Sequence, residues 1–247
     1  MRVKYIKEEL KTKENYECDV CVCGGGVAGI AAAIAAARAG AKTILLERGF
    51  MLGGLATAGL VTIYLPLCDG MGNQVSFGLA EELFMLSIEH GAEDRYPKAW
   101  LEGSNKEERK KKRFEVQYNA QMFAISAEQL LLREGVKILY GAPVTNVSTE
   151  KARITHVIIE GKSGREAIKV NKSVVDATGD ADVFHLAGAK TEVFKEGNKL
   201  AAWYYGYGNN DFKLYMCGVH DVADSDEATE LADIKRYGGL DTEELSE

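Results

Sequence analysis

Positive charge is in short supply: 30 Lys and Arg stand against 37 Asp and Glu, for a net charge of −7. An acidic surface repels a phosphate backbone, which argues against nucleic acid as a partner. The single basic run, Lys106, Arg109, Lys110, Lys111, Lys112 and Arg113, has no interleaved aromatics with which to stack bases and reads as a solvated face. An apolar leader is also missing, because residues 1–16 mix Lys with Glu and read as a polar arm. The chain lacks an uninterrupted membrane-length run as well. The stretches 20–37 and 49–68 carry no charge, but Gly24, Gly25 and Gly26 interrupt the first, and Gly53, Gly54, Gly59 and Pro66 the second; buried strand, turn and helix explain both, and no membrane is expected. Cysteine is sparse and odd in number: Cys18, Cys21, Cys23, Cys68 and Cys217. That is no disulfide framework and suits a reducing cytoplasm. Three of the five fall in one apolar run, 18–23, where strand alternation would send Cys18 and Cys21 to opposite faces. With no second Cys pair and no clustered His, no metal site is expected.

What is present is an α/β pattern without internal repeats. Residues 18–23 predict a first strand, 29–39 an alanine-rich helix stopped by Gly40, and 42–47 a second strand. A glycine-rich segment, 49–59, follows as a loop running into a helix. A helix over 76–90 has Leu79, Leu83 and Leu86 on one face. Residues 92–113 read as a surface excursion, 119–134 as a helix and 136–140 as a short strand. The 144–175 segment alternates with turns at 149–151 and 161–164, the pattern of a β-meander. The last thirty residues are acidic and helix-like.

Chemistry concentrates in the first fifty residues. Gly24, Gly25, Gly26, Val27, Ala28 and Gly29 match GxGxxG between a predicted strand and a helix. The first glycine permits the turn, the second lets a pyrophosphate approach the backbone, and the third lets the helix pack on the sheet. The helix N-terminus then offers free N–H groups to phosphate. Glu47 ends the second strand, eighteen residues after Gly29, where a carboxylate accepts hydrogen bonds from the adenosine ribose; an acid there disfavours a 2′-phosphate, although Arg48 adjoins it. These features do not separate FAD from NAD, which share the ADP half. Two later segments bear on the choice: Gly53-Gly54, six residues past Glu47, and Ala177-Thr178-Gly179-Asp180, at the end of the strand that leaves the meander.

On Gly24–Gly29, Glu47-Arg48 with Gly53-Gly54-Leu55-Ala56-Thr57, and Asp176–Asp180, the sequence resembles the FAD-dependent oxidoreductases with a glutathione-reductase-type FAD domain, and among them proteins similar to the flavin subunit of heterodisulfide reductase. The resemblance covers about 17–190. It implies a Rossmann-like FAD domain over 17–190 and a partial substrate or cap domain over 191–247. It further implies that the Val144 backbone touches adenine, that Gly53, Gly54, Leu55, Ala56 and Thr57 lie along the pyrophosphate and flavin, and that Ala177, Thr178, Gly179 and Asp180 close the site from below. A small-molecule substrate and an electron donor or acceptor are the implied partners. The dense cysteine runs that hold iron–sulfur clusters in such relatives are missing, as is the late Gly/Asp segment that returns to the flavin. The chain is therefore expected to be a fragment, with uncovered apolar surface that favours a homo-oligomer. A flavin oxidoreductase leaves no side chain obliged to be the catalyst. The alternatives are a nucleotide-binding remnant without redox activity and an NAD-dependent dehydrogenase. His90, His156, His185 and His220 are expected in structural or surface roles, although His185 lies near the site. Cys68 has no partner thiol, and Trp203, Tyr204, Tyr205 and Tyr207 read as a strand of the partial domain.

Overall fold

β-Branched and leucine-rich runs flanked by glycines give short parallel strands joined by a crossover helix. The computed structural model describes residues 5–63, 67–90, 97–195, 197, 201–218 and 236–246. The chain divides into two compact units, 1–189 and 190–247. In the first, β1 (Lys13–Cys23), α1 (Val27–Arg38) and β2 (Thr43–Glu47) form the βαβ unit. After them come α2 (Leu79–Ile88), α3 (Lys98–Leu101), α4 (Lys106–Lys111), α5 (Ala120–Arg133) and β3 (Lys137–Tyr140). The meander follows as β4 (Val144–Glu150), β5 (Arg153–Gly161) and β6 (Gly164–Asp176), and α6 (Asp182–Leu186) closes the unit. The six strands form one sheet, in the order β3-β2-β1-β6-β5-β4. β3, β2, β1 and β6 run parallel, and β5 pairs antiparallel with both β6 and β4. The second unit contains a hairpin of β7 (Ala201–Gly208) and β8 (Asp211–Gly218), turned by Asn209 and Asn210. Both asparagines have positive φ (52° and 58°), as a two-residue hairpin turn demands. Among the described residues no helix is long and apolar enough to cross a membrane.

The core lies on both faces of the sheet. On one face α1, α2 and α5 bury Ile30, Ile34, Leu83, Phe84, Phe123 and Leu131 against Val22 and Leu45. Each such side chain contributes about 1.5–3 kcal/mol on burial. Alanines on α1 allow the helix to lie close to the strands. At the surface Arg38 forks between Glu82 and Glu134, both at 2.7 Å, and ties α1 to α2 and to the end of α5. The other face packs Cys18, Cys21, Cys23, Ile44, Leu46, Val157, Ile168 and, from α6, Val183.

Four expectations change. Cys18 and Cys21 share a face instead of alternating. Asp19 and Val20 both donate to the Lys42 carbonyl, at 2.8 and 3.2 Å, and the β1–β6 register slips between Cys18 and Val20. This bulge inserts one residue and resets the alternation. Hydrogen bonds to Cys18 and Cys23, then burial, push the Cys21 thiol well up, while the bond with Cys21 draws Cys18 down. Second, the polar arm is shorter than its composition suggests. β1 begins at Lys13, because the long β6 supplies cross-strand partners such as Glu166 for its polar residues. Third, the excursion over 92–113 is not wholly superficial. Trp100 is buried, stacks on Phe114 at 4.8 Å and donates from its indole to the Lys112 carbonyl. Fourth, the segment after β2 makes only a 3-10 turn, Gly54–Ala56. The acidic run expected to be helical lies mostly outside the described residues; within it, Glu244–Ser246 is a 3-10 turn.

Candidate functional site

The C-terminal ends of β1, β2 and β6 converge, with Cys23 between Leu46 and Asp176. Chain connections leave β1 toward β2 on one side and arrive at β6 from the other. Such a switch point is where parallel sheets open a crevice for ligands.

The Gly24–Gly29 loop fills the head of that crevice, and its glycines do different work. Gly24 has φ +105°, and a Cβ on it would sit 2.3 Å from the Ala177 carbonyl oxygen. A Cβ on Gly29 would lie 1.8 Å from the Gly24 oxygen. Both positions are closed by the protein's own backbone. Gly26 is the opposite case: a Cβ there would meet nothing within 4 Å. That open space lies at the N-cap of α1, where no side chain caps the helix and the first intrahelical bond is Ile30 N–H to Gly26 O. The N–H groups of Val27, a half-buried residue, and Ala28, an exposed one, lie in the uncapped first turn, and the helix dipole adds positive potential there.

Glu47 is fixed more firmly than a surface carboxylate. One oxygen accepts the Gly25 N–H at 2.9 Å and the other the Gly49 N–H at 2.6 Å. The carboxylate thus bridges the first glycine loop and the segment after β2, with acceptor sites to spare for ribose hydroxyls. Arg48 beside it is exposed. The Gly53-Gly54 turn comes back onto the same loop. Gly53 N–H donates to Gly25 O at 2.8 Å, and a Cβ on Gly54 would stand 3.2 Å from Gly26 Cα. Thr57 is buried, and its hydroxyl donates to the Leu52 carbonyl at 2.5 Å. It holds the turn in shape. Leu55 is 75% exposed and Ala56 half-buried.

On the other wall Ala177 N–H donates to Cys23 O at 2.8 Å. Asp176 then accepts from Thr178 N–H at 3.1 Å, Thr178 Oγ1 at 2.7 Å and Phe184 N–H at 3.0 Å. It locks the Ala177–Asp180 turn, in which Gly179 and Asp180 are exposed. Val144, half-buried, opens β4 just past Ala142, whose N–H donates to the Glu47 carbonyl at 3.0 Å.

Sequence reasoning overlooked three supports. Asp176 stands within the quoted motif, but its clamping role was not foreseen. Tyr118 is buried and its hydroxyl, with one proton to donate, lies within hydrogen-bond reach of the Ala56 and Val61 carbonyls, at 2.9 and 3.1 Å, anchoring the segment after the glycine turn. Tyr140, at the end of β3, donates to Glu128 at 2.6 Å; burial and then that carboxylate hold its phenol well above the usual range. A lone tyrosine gives no periodic signal by which either could have been found. Of the histidines, His185 and His90 are exposed, and His156 meets Glu14 at 3.0 Å, a partner 142 residues away in sequence. His220 lies outside the described residues. Cys68 accepts the Phe114 N–H through its sulfur at 3.4 Å. Trp203, Tyr204, Tyr205 and Tyr207 all lie on β7; the Tyr207 side chain is exposed, and the other three side chains lie outside the described residues.

Residues 19–237 match the family described as FAD dependent oxidoreductase. No curated protein matches by sequence. Several solved structures share the fold. A geranylgeranyl bacteriochlorophyll reductase-like protein of Thermoplasma acidophilum is 20% identical over 77% of this chain and 46% of its own, with a TM-score of 0.53. A myxobacterial FAD-dependent chondrochloren halogenase is 18% identical over 89% of this chain and 55% of its own, also at 0.53. A p-nitrophenol 4-monooxygenase of Pseudomonas putida is 16% identical over 78% of this chain and 47% of its own, at 0.50. The chain spans about half the length of these structures, and likeness at such identity establishes the fold alone. The family match covers most of the sequence, and the chain belongs to the FAD dependent oxidoreductase family.

Proposed function

We propose that the protein is a flavin oxidoreductase whose FAD lies across the ends of β2, β1 and β6 within residues 17–190. The observation that carries this is the open cradle at Gly26, set on uncapped amides of α1 beside a carboxylate held by two backbone N–H groups. A pyrophosphate fills that cradle and the α1 amides bind it. Glu47 binds the adenosine ribose through its unused lone pairs. The Gly53–Ala56 turn and the Ala177–Asp180 turn, clamped by Thr57 and Asp176, wall the flavin side, and the Val144 backbone borders the adenine. FAD supplies hydride and electron transfer at its ring, and the chain supplies position and electrostatics. The substrate is a small molecule. Three buried, unpaired cysteines suit a cytoplasmic setting.

An absorbance spectrum of the purified protein tests this. Bound flavin gives bands in the blue that bleach on reduction. A colourless protein that stays colourless after incubation with FAD, or one that takes up only NAD, overturns the proposal.

A further inference from the structure

Phe50 is unusual among the residues around the crevice. Its ring is 85% exposed, which forfeits the burial a phenyl ring normally finds. Yet it does not hang on a loose loop. Gly49 donates to Glu47 and its own carbonyl accepts the Gly141 N–H at 2.9 Å, while Ala142 N–H donates to the Glu47 carbonyl at 3.0 Å. These bonds sew the segment after β2 to the end of β3. The ring rests against Gly141, where a Cβ would stand 3.0 Å from ring carbons Cε1 and Cζ. A side chain there would push the ring aside by a few tenths of an ångström. One side of the ring is thus backed by backbone and most of its surface is left open.

The sheet order says what reaches the open side. β1, β2 and β3 are neighbours in that sequence. The phosphate cradle stands at the end of β1 and the ribose carboxylate at the end of β2. The base of an adenosine diphosphate laid along that line, pyrophosphate first and ribose second, arrives beside the end of β3, where Phe50 and Gly141 stand. We infer that Phe50 is a positioning residue for the cofactor and that the adenine ring of FAD stacks on its open face. The inference rests on the reading that Glu47 holds the adenosine ribose. It adds the group that recognises the base, through a flat apolar surface.

The test is calorimetric titration of flavin-free protein with ADP and with FAD, in the wild type and in Phe50→Ala, Phe50→Tyr and Phe50→Leu, each checked by thermal melting. An exposed ring leaves the fold intact when removed, so all four should melt alike. Phe50→Ala should weaken ADP and FAD by a similar factor, about tenfold. Phe50→Tyr should stay within about twofold of wild type, and Phe50→Leu should fall toward Ala because it lacks a plane. Wild-type affinity in Phe50→Ala, with normal ADP binding otherwise, overturns the stacking role and leaves the FAD site standing. Full affinity in Phe50→Leu assigns the effect to bulk and overturns it too. Failure of the wild type to bind either ADP or FAD removes the FAD site itself, and this inference with it.

Discussion

Glu47→Gln separates the loop-bridging role of that side chain from the ribose binding proposed for it. In the structure the carboxylate accepts the Gly25 and Gly49 N–H groups through different oxygens. A glutamine has one carbonyl oxygen and one NH₂, so one of the two backbone donors must face another donor. Leaving such a group unsatisfied costs about 1–3 kcal/mol. For a unit of this size, that lowers the melting temperature of the flavin-free protein by about 2–12 °C. Ribose hydroxyls also lose charge-assisted bonds worth about 1.5–3 kcal/mol, or about ten- to a hundredfold in FAD affinity. Calorimetric melting of flavin-free protein reads the first loss and an FAD titration the second. Glu47→Ala should show both losses, without the donor–donor clash. An unchanged melting temperature in Glu47→Gln would show that the carboxylate does not hold the two loops together. Unchanged FAD affinity would assign the ribose to another residue.

Other outcomes follow from the same geometry. Gly26→Val should fold, because a Cβ there enters open space, but lose FAD binding; a binding, well-folded variant would refute the cradle. Gly29→Ala should be destabilised by about 1–3 kcal/mol or more, because its Cβ would strike the Gly24 carbonyl; denaturant melts equal to wild type would contradict this. Hydrogen bonds from Arg38 hold the Glu82 carboxyl below its usual value. A depressed folded value means that this contribution is full above the unfolded value and fades as pH falls through the folded one. The stability gap between wild type and Arg38→Met should therefore narrow as pH drops from about 6 to about 3, and a gap independent of pH would refute it. Among the described cysteines, alkylation of native protein followed by peptide mass spectrometry should label half-buried Cys68 well before Cys18, Cys21 or Cys23, which are buried.

The βαβ unit was legible because its determinants are local: an apolar run, three glycines in register, a thin helix, and an acid at the next strand end. The meander was legible from its turns, and Ala177–Asp180 from its place after them. What escaped depends on contacts between distant segments. The bulge that brings Cys18 beside Cys21 is created by Lys42 and by the β6 register, neither visible within 18–23. Lys13–Tyr16 reads as polar arm until β6 pairs with it. Trp100 sits in a charged run, and its stacking on Phe114, the Arg109 guanidinium over its ring at 5.5 Å and its bond to the Lys112 carbonyl reveal that it is held. At the site, spacing and resemblance point to Glu47, the glycine turns and Thr57 but not to the supports around them, since Asp176 and Tyr118 act by satisfying backbone groups that spacing alone does not locate.

The most direct test of the account is a crystal structure of the chain grown with FAD. The account predicts pyrophosphate density within hydrogen-bond reach of the α1 amides above Gly26, with the ribose on Glu47. Density for the cofactor elsewhere on the chain, with the Gly24–Gly29 loop bare, would contradict it.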